Sequence, residues 1–282
     1  VLEPSVDWGT SFCAPGASVP SVRSIVPVVE RHWETPSTVT LRFSYPAKAR
    51  PGQFVMIWFP GDDELPMSLS YTEGRDGLKG VTIKAMGETT RHVLKIEEGT
   101  KVGIRGPYGN CFDLSPKRIL VVAGGSGGAV LAPAAEAARA GGSSVTVALG
   151  ATTQKELLFR DRFGKLADGG LELSTDDGTA GHHGYVTDVA ARLLQERMFD
   201  ALWTCGPEVM MVKLARTAEK AAVPYYGSVE REMKCALSMC DACAFGPFHV
   251  CSDGPVFSGE RLRDVPDFGS FQRDPSGRRV KR

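Results

Sequence analysis

Two periodicities divide the chain. From Ser21 the apolar positions alternate with polar ones in short runs, each bounded by Pro or Gly: SVRSIVPVVERHW, TVTLRFSY, QFVMIWF, MSLSY, GVTIKAM and TKVGIRG, ending near residue 106. Short alternating runs separated by turn residues predict a small antiparallel β-barrel. A single helix fits inside it, over Thr89 to Ile96 after Gly87-Glu88. Thr89 and Thr90 suit the start of that helix, where free amides can hold a phosphate.

After Ser115-Pro116 the pattern changes to continuous apolar runs alternating with helical ones. KRILVVA, SSVTVALG, GLELST, DALWTC and VPYYGSV read as buried strands. AVLAPAAEAARA, KELLFRDRF, GYVTDVAARLLQ and EVMMVKLARTAEKA read as the helices between them. Such alternation predicts βαβ units on a parallel, Rossmann-like sheet. The expected division is an irregular extension over 1–20, a β-barrel over 21–115, an α/β domain over 116–228, and a small third unit with a polar tail over 229–282.

Composition changes little in this picture. The 282 residues balance 33 basic against 33 acidic side chains, and no apolar run approaches the ~18 residues of a membrane span. Nothing favours nucleic acid or a membrane as partner. The N-terminal stretch lacks the basic start and apolar core of a signal peptide. A reducing, cytoplasmic location is therefore expected, with Cys13, Cys111 and Cys205 as free thiols.

The remaining four of the seven cysteines carry the chemistry. Cys235, Cys240, Cys243 and Cys251 are spaced C-x4-C-x2-C-x7-C. A C-x4-C-x2-C loop with a separate fourth thiolate is the ligand pattern of plant-type 2Fe–2S ferredoxins. Zinc is the competing reading, although it usually takes paired C-x2–4-C knuckles and only one CxxC occurs here. Two disulfides would suit a small secreted domain better than a chain of this length.

Gly124-Gly125-Ser126-Gly127-Gly128 follows the first strand of the α/β unit, where a glycine turn lets a pyrophosphate approach backbone amides. A tight packing turn with no ligand is the alternative. Two more loops lie at carboxyl ends of strands, Thr175-Asp176-Asp177-Gly178 and Thr204-Cys205-Gly206-Pro207. Asp176 and Asp177 can accept from ribose hydroxyls. Cys205 is a possible neighbour of a nicotinamide, or a buried structural thiol.

Together the barrel, Gly106-Pro107-Tyr108-Gly109, the glycine turn, TDDG, TCGP, the cysteine loop and Cys251-Ser-Asp-Gly-Pro-Val-Phe257 resemble the ferredoxin-reductase superfamily. Within it they are most similar to the electron-transfer subunits of NAD-linked dihydroorotate dehydrogenases. The resemblance implies a flavin barrel, an NAD domain and a C-terminal 2Fe–2S domain, relaying electrons to an FMN-containing catalytic subunit or another redox partner. By position, Pro66, Met67, Ser68, Thr82, Ile83 and Lys84 would line FAD, and Thr89 and Thr90 would hold its pyrophosphate. The glycine turn (Gly124, Gly125, Gly127, Gly128), Asp176, Asp177, Cys205, Gly206 and Pro207 would meet NAD(H), and the four cysteines would ligate iron. The chain departs from the family where Leu65 replaces an arginine, and where Ala236, Ser238 and Asp241 replace glycines. Two other readings compete: a diaphorase subunit of a hydrogenase or ferredoxin:NADP oxidoreductase, and a zinc-stabilised nucleotide-binding regulatory module.

Overall fold

In the computed structural model, which describes residues 23–72, 77–273 and 279–281, the alternating runs close into a barrel. Its strands are β1 (Ser24–Thr35), β2 (Thr38–Ser44), β3 (Phe54–Trp58), β4 (Glu64–Tyr71), β5 (Leu78–Lys84) and β6 (Lys101–Tyr108), with helix α1 (Glu88–Val93) between the last two. The order around the barrel is β1-β2-β5-β4-β3-β6, and β6 returns to β1. The inward positions Val39, Leu41, Phe43, Val55, Ile57, Leu69, Val81, Ile83, Val102 and Ile104 are almost fully shielded from water and form one core. The period-2 pattern thus has a direct cause: alternate residues fill the barrel and the others face out.

The second half alternates as the sequence predicts: β7 (Arg118–Gly124), α2 (Gly128–Ala140), β8 (Ser144–Ala151), α3 (Arg160–Leu166), β9 (Leu171–Thr175), β10 (His182–His183), α4 (Val186–Glu196), β11 (Ala201–Cys205), α5 (Glu208–Lys220) and β12 (Tyr225–Ser228). These strands are parallel neighbours in the order β10-β9-β8-β7-β11-β12. Helices α2 and α3 pack on one face around Val121, Ala123 and Leu131, and α4 and α5 on the other around Leu120, Val122 and Leu193. The helix expected over KELLFRDRF is broken. A 3-10 turn covers Gln154–Glu156, Phe159 takes a left-handed φ of 59°, and only then does α3 begin.

The cysteine segment is not an appendage. After β12 come a hairpin, β13 (Ala244–Phe245) and β14 (Phe248–His249), then α6 (Val250–Asp253), β15 (Val256–Ser258) and α7 (Gly259–Arg263), and a second hairpin, β16 (Phe271–Arg273) and β17 (Arg279–Lys281). Strand β15 joins the sheet edge antiparallel to β12. Phe245, Phe257, Cys243, Cys251 and Leu262 share one core with α4 and α5, and with Phe54 and Tyr108 of the barrel. Cys111, expected as a free thiol, is disulfide-bonded, whereas Cys205 is a free and fully buried thiol. Cys13 lies outside the described residues. No helix among the described residues is long and apolar enough to cross a membrane.

Candidate functional site

Two clefts and the cysteine loop meet where the barrel touches the carboxyl edge of the sheet. The barrel-side cleft, about 390 Å³, is bounded by Pro66, Met67 and Ser68 of β4, Thr82, Ile83 and Lys84 of β5, and Phe54 and Thr90. Its far wall is the segment Ser228–Met233. Strands β4 and β5 pair antiparallel, so their ends border one space, while Ile83 keeps its side chain in the barrel core. Buried hydroxyls hold that junction together: Thr82 Oγ1 donates to Ser70 Oγ at 2.8 Å and is 2.8 Å from Thr40 Oγ1.

Thr90, not Thr89, lines this cleft. Its hydroxyl oxygen accepts from the amides of Met86 and Gly87, both at 2.9 Å, and its proton goes to Gly87 O. The hydroxyl therefore shapes the turn before α1, and the amides it binds are occupied. Two cations reach the cleft, Lys84 and Arg231. Lys84 pairs with Glu156 at 3.1 Å. Arg231 forms a buried ion pair with Glu208 and lies over the Phe245 ring. Leu65, which lacks the family's arginine charge, is not among the lining residues.

The sheet-side cleft, about 620 Å³, opens over the ends of β7, β8, β9 and β11, and includes Gly124, Gly125, Ser126, Asp176, Gly206 and Pro207. Lys84, Met86, Ser126 and Glu230 border both clefts, so the two spaces adjoin there. Gly127 serves packing: a Cβ on it would lie 2.0 Å from Cys205 O. Neither Gly127 nor Gly128 lines the cleft. Asp176 and Asp177 also part company. Asp176 faces the cleft, while Asp177 accepts from the Thr179 amide at 3.0 Å and hydroxyl at 2.6 Å, which holds its carboxyl below the usual carboxylate range. Cys205 sits beneath the loop, its thiol pushed well up by burial.

Sequence reasoning missed Tyr185 and Thr187 among the residues of this cleft. Tyr185 is 60% exposed at its rim with Lys213 Nζ 5.3 Å from the ring centroid. Thr187, 7% exposed, carries a buried hydroxyl with no hydrogen-bond partner among the described residues. No motif marks them, because Tyr185 and Thr187 read simply as the start of an amphipathic helix.

Cys235, Cys240 and Cys243 lie on one loop, and Cys251 faces it from α6. Cys235 and Cys240 are in hydrogen-bond contact, and so are Cys243 and Cys251. The amides of Leu237 and Met239 donate to Cys235 Sγ at 3.3 and 3.4 Å, and that of Ser238 to Cys251 Sγ at 3.3 Å. Burial pushes the Cys235 thiol up, but these amides and Cys240 outweigh it and hold the group at about 7. Deeper burial pushes Cys243 up to about 12. Among the described residues no three His, Cys, Asp or Glu side chains gather on one point. A zinc ion needs four ligands on one centre, whereas a two-iron cluster needs two thiolates on each iron. Two thiol pairs, caged by amides aimed at sulfur, fit the second arrangement.

Comparison with known proteins decides the kinship. Residues 230–263, which contain all four cysteines, match the family described as the iron-sulfur cluster binding domain of dihydroorotate dehydrogenase B. A protein of Methanothermobacter thermautotrophicus named "Probable dihydroorotate dehydrogenase B (NAD(+)), electron transfer subunit" is 41% identical over 266 residues, 93% of this chain and 98% of the relative. One of the same name from Methanocaldococcus jannaschii is 39% identical over 249 residues, 88% and 94% of the two chains. The chain belongs to this family of electron-transfer subunits. Among solved structures, an NADH-dependent reduced ferredoxin–NADP oxidoreductase studied for flavin-based electron bifurcation superposes with a TM-score of 0.78 at 31% identity, covering 87% of this chain and 93% of the other. The ferredoxin reductase of carbazole 1,9a-dioxygenase, 19% identical with a TM-score of 0.61 over 74% and 68% of the chains, shares the fold. This chain thus shares its fold with more distant reductases.

Proposed function

We propose that this chain relays electrons between NAD(H) and the catalytic subunit of a dihydroorotate dehydrogenase, through FAD in the barrel-side cleft and a 2Fe–2S cluster on the cysteine loop. One observation carries the reading. The segment Ser228–Met233 walls the barrel-side cleft, its Glu230 also borders the sheet-side cleft, and Cys235 follows two residues later. A two-electron donor, a converter and a one-electron acceptor would therefore be neighbours in that order. When bound, FAD would supply the exchange between a two-electron hydride carrier and a one-electron cluster.

The residues divide that work. Pro66, Met67, Ser68 and Thr82 border the flavin seat with Ile83 behind them, and Lys84, partly exposed in its pair with Glu156, stands in part for the absent arginine at position 65. The shared border at Lys84, Met86, Ser126 and Glu230 is the meeting place for nicotinamide and flavin. Counted along β12-β11-β7-β8-β9, the far end of the sheet-side cleft lies four strand spacings away, about 19 Å. Asp176, Tyr185 and the Thr187 hydroxyl there suit the adenosine half. The four cysteines are the iron ligands, in the pairs Cys235/Cys240 and Cys243/Cys251. In domain terms, the flavin unit spans 21–115, the nucleotide unit 116–228 and the cluster unit 229–282, working in the cytoplasm.

Exposed apolar side chains lie beside the cluster loop. Met239 is 81% and Leu237 52% exposed, and Cys240 is exposed between them and the buried cysteines. This is the face for the catalytic subunit. Phe245 and Phe257 instead cover the loop from within.

The purified chain should contain FAD together with about two irons and about two acid-labile sulfides, and give a rhombic paramagnetic signal on reduction. One zinc with no sulfide would end the reading. The 31% identical oxidoreductase favours a second reading in which the same relay serves another redox partner. The subunit that co-purifies with the chain decides between them.

A further inference from the structure

Arg105 of β6 ties the barrel to the cluster loop. On one edge its guanidinium grips Glu64 of β4: Nε donates to Oε1 and Oε2 at 2.9 Å each, and Nη2 to Oε2 at 2.6 Å. On the other edge Nη1 donates to Cys235 O at 2.8 Å and Nη2 to Lys234 O at 3.0 Å. Nη1 also reaches Tyr108 Oη at 3.2 Å. Both charged side chains are largely shielded, 13% and 14% exposed. The only other charged side chain on Glu64 is Arg23, at 3.3 Å, among the described residues.

Asn110, just past the same strand, holds the opposite side of the cluster unit. Its Nδ2 donates to Asp253 O at 3.1 Å and Val256 O at 2.8 Å, its Oδ1 accepts from Val256 N at 2.9 Å, and its own amide donates to Gly254 O at 2.7 Å. The end of β6 and the turn after it therefore grip the chain at Lys234–Cys235, where the first cysteine ligand stands, and at Asp253–Val256, shortly after the last. Asn110 does this with neutral groups. Arg105 does it with a charge.

We infer that Arg105 is a positioning residue for electron transfer, fixing the entry of the cluster loop against the flavin barrel and setting the cluster's affinity for an electron by its fixed positive charge. The inference rests on the cysteines holding the cluster. A guanidinium suits both tasks, because its planar fork serves a carboxylate and two carbonyls at once, which an ammonium cannot. Glu64 takes the Nε–Nη2 edge and the loop carbonyls the adjacent Nη1–Nη2 edge, so it is the guanidinium that bonds the loop. The cluster thus faces the positive end of the pair, and shielding from water keeps that field from being damped. Adding an electron places negative charge nearer Arg105 than Glu64, so the pair favours the reduced state.

Opposite substitutions should move the cluster in opposite directions. In a redox titration of the whole FAD- and cluster-loaded protein, followed by the paramagnetic signal, Arg105→Gln should lower the cluster's reduction constant at least tenfold, 59 mV for a one-electron couple. Glu64→Gln, which leaves the guanidinium bonded to both carbonyls, should raise it severalfold. Arg105→Lys should keep the constant within about threefold while losing iron faster on dilution, because the charge stays and the fork is gone. If Arg105→Gln fails to retain iron, Glu64→Gln alone decides. A reduction constant unchanged by Glu64→Gln, or lowered by it, overturns the inference while the relay reading stands. Wild-type protein without iron or a paramagnetic signal overturns both.

Discussion

The backbone of the cluster loop sits at φ 60°, 57° and 57° at Ala236, Ser238 and Asp241, a left-handed region that costs an L-residue about 1–2 kcal/mol. The turns are what aim the amides of Leu237, Ser238 and Met239 at sulfur. Asp241 and Ser238 have partners in this conformation: Asp241 Oδ1 lies 2.5 Å from His249 Nε2, and Ser238 Oγ donates to Ser252 Oγ at 2.5 Å. Ala236 has only a buried methyl group. Replacing it with glycine removes the strain but adds freedom to the unfolded chain, worth about 0.4–1 kcal/mol in the other direction. Ala236→Gly should therefore stabilise the loaded protein by about 0.5–1 kcal/mol, seen as a higher denaturant midpoint for loss of the cluster's visible absorption. A lower midpoint would mean that the loop does not hold this turn.

The glycine turn between β7 and α2 shows how one motif contains residues of different kinds. A Cβ at Gly127 would fall inside the carbonyl of Cys205 on β11, so Gly127→Ala must push α2 or β11 aside. Overpacking of this sort costs about 1–3 kcal/mol or more, and the displaced turn should lose most of its NADH-dependent dye reduction. At Gly125, φ is 54° and no atom lies within 4 Å of the added Cβ, so Gly125→Ala should cost only the backbone strain, about 1 kcal/mol. Equal stability of the two variants in thermal unfolding would refute that division. Elements of this kind were legible in the chain because they repeat: six alternating runs became the barrel, and each apolar run after residue 115 became a parallel strand. The cysteine spacing was legible for the same reason, since its chemistry is local. What escaped depends on single residues with distant partners. Arg105 meets Cys235 across 130 positions, β15 completes a sheet begun at β7, and a left-handed Phe159 interrupts an otherwise helical run. Nothing in local periodicity encodes any of these.

At the scale of the whole molecule, the proposed relay would leave by the exposed end of the cysteine loop. The sheet-side cleft adjoins the barrel-side cleft, whose wall leads into the cysteine loop, and the loop reaches the surface at Leu237, Met239 and Cys240. The buried pair Cys243 and Cys251 lies inward of that exit, packed in the core beside Phe245 and Phe257. Reduction of a small dye needs only the two clefts, whereas coupling to a large partner needs the exposed end of the loop. Cys240→Ser should separate these functions. It replaces a proposed outer iron ligand with a harder, weaker one at an exposed position, so the fold and the FAD site should survive. NADH-to-dye reduction should stay within about twofold of wild type. Dihydroorotate-dependent reduction of NAD+, reconstituted by adding the catalytic subunit, should fall at least a hundredfold, and the paramagnetic signal should shrink or change shape. The wild-type chain alone should not oxidise dihydroorotate. If it does so unaided, or if Cys240→Ser couples to the catalytic subunit at the wild-type rate, the electrons leave by another route and the relay assignment fails.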